Sequence, residues 1–265
     1  MFKIGNATLY RMDCLDLMAS IPDGSVDAII CDLPYGTTAC KWDTIIPFEP
    51  LWAHYKRVIK PNGAIVLFGS QPFTSALVMS NVAMFKYCWY WFKDTKSNFP
   101  QAGYQPLNNI ENILVFSKGY ARGFPKESNK LKMCMPYNPQ MTEGAVYKIP
   151  KESKTTSIFS VTHKNGKYMH KEKDTSKRYP FNSLHFKAER GLHPTQKPVA
   201  LLEYLIRTYT NEGETVLDNC MGSGTTGIAC LNTGRNFIGI EKDAGYFEIA
   251  CKRIENAMRQ VRMFD

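Results

Sequence analysis

The chain has 265 residues, 44% of them hydrophobic and 22% charged, enough to bury a sizeable core and typical of a soluble globular protein. No apolar run approaches the roughly 20 residues of a membrane span, and the N-terminus carries no signal-peptide-like apolar stretch, so a cytoplasmic protein is expected. Its eight cysteines show no Cys-x-x-Cys spacing and its formal net charge is +9; buried reduced thiols are expected rather than a metal site or a disulfide framework.

In chain order, Ile4 to Arg11 reads as a short strand pair turning at Gly5-Asn6, and Cys14 to Ile21 has helical spacing (Leu15, Met18, Ile21). Val26 to Cys31 is a buried strand preceded by the turn Pro22-Asp23-Gly24-Ser25 and followed by Asp32-Leu33-Pro34-Tyr35. A loop from Gly36 to Pro47 leads into a helix from Phe48 to Ile59, stopped by Lys60-Pro61-Asn62-Gly63. Ala64–Phe68 is a strand, Phe73–Met79 a helix and Cys88–Phe92 an aromatic strand. Asp94–Asn109, rich in Gly, Pro and Asn, is expected to be a loop before the strand Ile113–Ser117.

Lys118 to Arg190 breaks this rhythm. It holds 16 basic and 6 acidic residues, so the whole basic excess lies there, interleaved with Tyr120, Tyr137, Tyr147 and Tyr168. A surplus confined to one segment points to a polyanionic partner. Alternation then resumes with the helix Pro198–Thr210, the strand Thr215–Asp218, a glycine run leading into a helix through Leu231, the strand Asn236–Ile240 ending in Glu241, and a last helix from Gly245 to Arg259. Alternating strands and helices predict a Rossmann-like α/β fold, a mostly parallel sheet with helices on both faces.

Two strand ends carry the chemistry. In open α/β sheets, ligands bind beyond the carboxyl ends of the strands, where Asp32 and Asp218 both fall. The run Gly222-Ser223-Gly224-Thr225-Thr226-Gly227 lies between a predicted strand and a predicted helix, so its backbone can approach a ligand closely. Glu241, 17 residues after Gly224, can accept hydrogen bonds from ribose hydroxyls. The glycine spacing also admits NAD. Asp218 beside the glycines repels a pyrophosphate and attracts an ammonium, which favours S-adenosyl-L-methionine; alternatively, Asp218 only caps the next helix.

Taken with Asp13, Ile113–Gly119 and His193-Pro-Thr-Gln-Lys-Pro198, the order of these motifs resembles the amino-DNA methyltransferases of the permuted β group, whose Asp-Pro-Pro-Tyr motif precedes the cofactor motif. The resemblance covers most of the chain outside Lys118–Arg190. It implies a twisted, mixed, seven-stranded sheet formed by residues 1–117 and 191–265, with 118–190 as an inserted target-recognition region. It implies S-adenosyl-L-methionine as cofactor, with Asp218, Gly222, Ser223 and Gly224 around its methionine part. Glu241 would hold the ribose, Asp13 would reach the adenine amino group, and Thr195 and Lys197 would lie on the carboxylate side. Double-stranded DNA is the implied partner and a homodimer the implied assembly, in a restriction-modification setting.

The catalytic set implied is Asp32, Leu33, Pro34 and Tyr35. An exocyclic amine on a nucleobase is a poor nucleophile because its lone pair is delocalised into the ring. Hydrogen bonds accepted by the Asp32 carboxylate and the Leu33 carbonyl would draw that nitrogen towards tetrahedral geometry, aiming its lone pair at a methyl donor. Tyr35 would stack on the extruded base. No Pro-Cys dipeptide, the nucleophile motif of cytosine-C5 enzymes, occurs anywhere. Two positions depart from the family pattern: Leu33 stands where a first proline is usual, and Asn219-Cys220 where Pro-Phe is. The Asp form of the motif points to adenine N6, with cytosine N4 as the alternative; a nicotinamide oxidoreductase and a non-catalytic nucleic-acid-binding protein are further readings.

Overall fold

In the computed structural model, which describes residues 1–37, 43–97, 99–121, 134–145, 176–189 and 196–261, the apolar runs pair as strands. The first six are β1 (Phe2–Ile4), β2 (Ala7–Arg11), β3 (Val26–Cys31), β4 (Ile59–Gly69), β5 (Phe85–Ser97) and β6 (Asn108–Phe116). They are followed by β7 (Thr142–Glu143), β8 (Lys177–Arg178), β9 (Ser183–His185), β10 (Thr215–Asp218) and β11 (Asn236–Glu241). Nine of them form one sheet in the order β1-β2-β11-β10-β3-β4-β6-β5-β9. The sheet is parallel from β2 to β4 and antiparallel where β6 enters between β4 and β5. The expected seven strands are therefore joined by two three-residue edge strands, β1 and β9.

Period-two alternation decides which face each side chain takes. Ala28 and Ile30 of β3, with Ala64, Val66 and Phe68 of β4, face the helices Val199–Tyr209, Thr225–Asn232 and Ala244–Val261. Ile29 and Cys31, with Ile65 and Leu67, face the helices Cys14–Ser20, Phe48–Val58 and Phe73–Ser80. β3 and β4 are thus buried on both sides, which is why they read as unbroken apolar runs. Each large apolar side chain fully buried there contributes on the order of 1.5–3 kcal/mol. Among the described residues no helix is long and apolar enough to cross a membrane.

Two stretches differ from the sequence expectation. β4 begins at Ile59, so the predicted stop signal is the start of a strand, with a register shift opposite Val26 and Ala28 absorbing Pro61 and Asn62. Asp94–Asn109 is no plain loop: β5 continues to Ser97, β6 begins at Asn108, and the described residues between them hold a 3-10 segment at Phe99–Gln101 and turns. The ladder closed by Ser97 opposite Asn108 overrides the local turn chemistry.

The chain forms two compact units, Met1–Asn138 with Asn182–Asp265, and Pro139–Phe181. In the first, β9 pairs with β5, and the Trp91 indole N–H donates to the Phe186 carbonyl (2.9 Å). In the second, the described residues include the antiparallel pair β7–β8.

Candidate active site

β3 lies between β10 and β4, with Val216 opposite Ala28 and Leu217 opposite Ile29. That register places the residues just past β3 beside the glycine loop that follows β10. A single cavity of about 1170 Å³ is lined by both, from Asp32–Tyr35 to Asn219–Ser223 and on to Glu241. Among the described residues, all that line it belong to the first unit.

At the β3 end, one Asp32 oxygen accepts from the Tyr35 hydroxyl (2.6 Å) and the other from the Lys197 ammonium (2.5 Å). Lys197 also pairs with Glu111 (2.9 Å), which accepts from the Tyr35 hydroxyl (3.1 Å) and pairs with Lys93 (3.3 Å). The result is a closed network of two carboxylates and two ammoniums. Burial raises the Asp32 pKa and Glu111 adds to the rise, while Lys197 opposes both. Burial alone would lower Lys197, but the two carboxylates outweigh it and hold the ammonium firmly protonated. For Glu111 burial works upwards, yet Lys197 and Lys93 prevail and its carboxyl is lowered. The site therefore presents an acceptor whose neutral form burial favours and whose ionised form Lys197 favours, inside a largely desolvated wall.

The loop after Asp32 is fixed by Asp43. Its carboxylate, only 8% exposed, accepts the backbone N–H groups of Tyr35 (2.7 Å), Gly36 (2.8 Å) and Thr37 (2.9 Å). Three successive N–H groups converging on one anion form a nest, a stiff arrangement. Gly36 serves it with a φ of +68°. The Tyr35 ring packs on Phe73, centroids 5.0 Å apart, and the Leu33 side chain is buried in the apolar cluster beneath.

At the β10 end, Gly224 takes a φ of +78° at the start of its helix, and a Cβ there would stand 2.9 Å from that of Ala250. Asp218 is buried and engaged within the loop: it accepts from the Thr226 hydroxyl (2.6 Å) and the Cys220 N–H (3.1 Å). Burial raises its pKa to about 6 against those two hydrogen bonds. Glu241 ties the next strand to the loop, accepting from Gly222 N–H (2.9 Å) and Asp243 N–H (2.8 Å). Arg253 of the last helix braces the same loop through the Ser223 carbonyl (2.7 Å) and hydroxyl (2.8 Å) and the Thr225 hydroxyl (3.1 Å). Asp13 caps the helix Cys14–Ser20 through Leu15 N–H (3.0 Å), pairs with Lys242 (3.1 Å) and lines the cavity.

The residues singled out in the sequence thus meet around one cavity, save Gly224, which packs against Ala250 of the last helix instead of lining it, and Thr195, which lies outside the described residues. Lys197, expected beside the cofactor's carboxylate, has its ammonium on Asp32 and Glu111, because the helix that follows Pro198 starts behind the end of β3. Glu111, Asp43 and Arg253 were not singled out. Only Glu111 left a signal, an acidic residue in an apolar strand.

Fold and site define an enzyme of the open α/β class, in which a glycine-loop cradle at one strand end adjoins a charged pocket at the next. Comparison with known proteins gives the family. The model of the N6/N4 DNA methylases matches residues 26–252, and the chain belongs to that family. It is similar to the type II methyltransferase M2.LlaDCHI of Lactococcus lactis subsp. cremoris (28% identical, 94% of this chain, 89% of the relative). It is similar also to M.HpaI of Haemophilus parainfluenzae (27% identical, 94% of this chain, 74% of the relative). Among solved structures, the M1.HpyAVI–SAM complex aligns with a TM-score of 0.60 at 28% identity, over 93% of this chain and 99% of that one. The cytosine-N4-specific PvuII methyltransferase shares the fold (TM-score 0.62, 16% identity, 98% of this chain and 93% of that one). The protein is a DNA methyltransferase that uses S-adenosyl-L-methionine. The nicotinamide and non-catalytic readings are set aside.

Proposed function

We propose that the protein methylates N6 of adenine in double-stranded DNA, on a base turned out of the duplex into the pocket at Asp32, and that it works in the cytoplasm as a homodimer. The observation that carries the reading is the hydrogen-bonded network at Asp32, walled by Tyr35 and continuous with the glycine-loop cradle.

The cradle suits S-adenosyl-L-methionine. Gly222 and Gly224, both with positive φ, give the loop its turn, and Asp218, Glu241 and Asp13, which line the cavity, would supply acceptors for the ammonium, ribose and amino groups of that molecule. When bound, the cofactor supplies an electrophilic methyl group on a sulfonium. Asp32 and the Leu33 carbonyl accept the N–H groups of the target amine, which turns its lone pair out of conjugation. Tyr35, fixed at its hydroxyl by Asp32 and Glu111, forms the wall against which the base rests. Lys197 keeps Asp32 ionised, and Glu111 holds Lys197 when the amine takes its place on the carboxylate. Residues 118–190, with the chain's basic excess, would contact phosphates and read the target sequence.

The test is transfer of labelled methyl from S-adenosyl-L-methionine to DNA, digestion to nucleosides, and mapping of the modified positions. N6-methyladenosine supports the proposal; N4-methylcytosine would replace the base assignment. Asp32→Ala is expected to lower kcat by roughly 10²–10³-fold or more while leaving cofactor binding intact.

A further inference from the structure

We propose that the tip of the β5–β6 hairpin is a contact for duplex DNA, its Phe99 and Tyr104 rings stacking on the bases that border the gap left by the extruded nucleotide. The inference rests on the reading that the target base leaves the duplex to reach Asp32.

One face of this hairpin is a wall of the active site. Trp91, Lys93, Thr95 and Ser97, alternating along β5, all line the cavity, as do Glu111 and Asn108 across the ladder. Lys93 and Glu111 belong to the network around Asp32, whereas Ser97 and Asn108 close the ladder at its outer end. Between Phe92, opposite Ile110, and Ser97, opposite Asn108, the ladder is irregular, and the Ser97–Asn108 pair closes it beyond Lys93 and Glu111. The turn past Ser97 thus follows directly on residues that line the cavity, and we place it beside the duplex from which a base would descend.

Two large rings stand there. Phe99 is 65% and Tyr104 94% exposed, so neither serves the core. The turn that carries them is built: Ala102 N–H donates to Phe99 carbonyl (3.1 Å), and Tyr104 and Gln105 N–H both donate to Gln101 carbonyl (2.9 and 3.0 Å). From Thr95 to Ile110 the sequence has no carboxylate, while Lys96 adds a positive charge, which suits a polyanion. Extruding a base leaves its neighbours unstacked, and an aromatic ring at the gap restores a stacking partner of any sequence.

The test uses the full chain and an oligonucleotide duplex centred on the mapped site, with 2-aminopurine as a fluorescent reporter in the target position in a parallel sample. A second duplex places an abasic nucleotide opposite the target base, so that pairing is already lost. The double variant F99A/Y104A is expected to lose roughly ten- to hundredfold in kcat/KM on the intact duplex, with a weakened 2-aminopurine signal. On the abasic-opposed duplex the loss should stay within about threefold, cofactor binding should be unchanged, and Y104W should behave as wild type. An equal loss on both duplexes, or none on either, overturns the proposal. Wild-type protein that methylates no duplex would instead sink the underlying reading, so the two failures are told apart.

Discussion

Lys197 governs whether Asp32 can work. A carboxylate accepts the N–H of a target amine only when ionised, and burial together with Glu111 favours its neutral form. Lys197, 2.5 Å away, is the main force the other way. Lys197→Met should therefore raise the Asp32 pKa further. Activity is lost as pH falls through that pKa, so the acidic limb of the kcat/KM profile should move to higher pH. Lys197→Arg should keep the limb near its original place. A profile unmoved in Lys197→Met would show that the pairing does not act on Asp32. The Asp32–Tyr35 end of the site was legible in sequence because a carboxylate, a proline and an aromatic after a buried strand mark a strand exit. The Lys197 contact was not, since it spans 165 positions and depends on how β3 and the helix after Pro198 meet.

The elements around the glycine loop show what local pattern reveals and what it hides. Strand, glycines and helix were legible, since a run of glycines between two apolar segments has few other uses. The bracing of that loop by Arg253 and its closeness to Ala250 were not, because both come from the last helix, in which Arg253 stands 28 and 30 residues along the chain from the groups it holds. Gly224→Ala should strain a left-handed residue and press on Ala250, destabilising the fold by roughly 1–3 kcal/mol. Cofactor affinity should fall with it, as thermal unfolding and a titration with S-adenosyl-L-methionine would record. A variant as stable and as tight-binding as wild type would mean that the loop adjusts freely. The β5–β6 hairpin is the opposite case: its composition spoke for a loop, and cross-strand pairing, which no local window contains, made it a wall of the site.

Over the whole molecule, the parallel sheet, its two helical layers and the opening strand pair follow from the alternation read along the chain; the strand order, set by contacts distant in sequence, does not, nor does β9, whose three residues carry too little periodicity. Charge is distributed with equal plainness: the surplus sits in residues 118–190 and the rest of the chain is close to neutral. Asp32 and the three groups joined to it repeat that balance in miniature, two carboxyl side chains against two lysines. Dissolved ions screen exposed charges far better than sheltered ones. Raising sodium chloride from roughly 50 to 200 mM should therefore multiply the KM for DNA many times over while kcat hardly changes. A kcat that falls in step with affinity would mean that electrolyte reaches the carboxylates themselves.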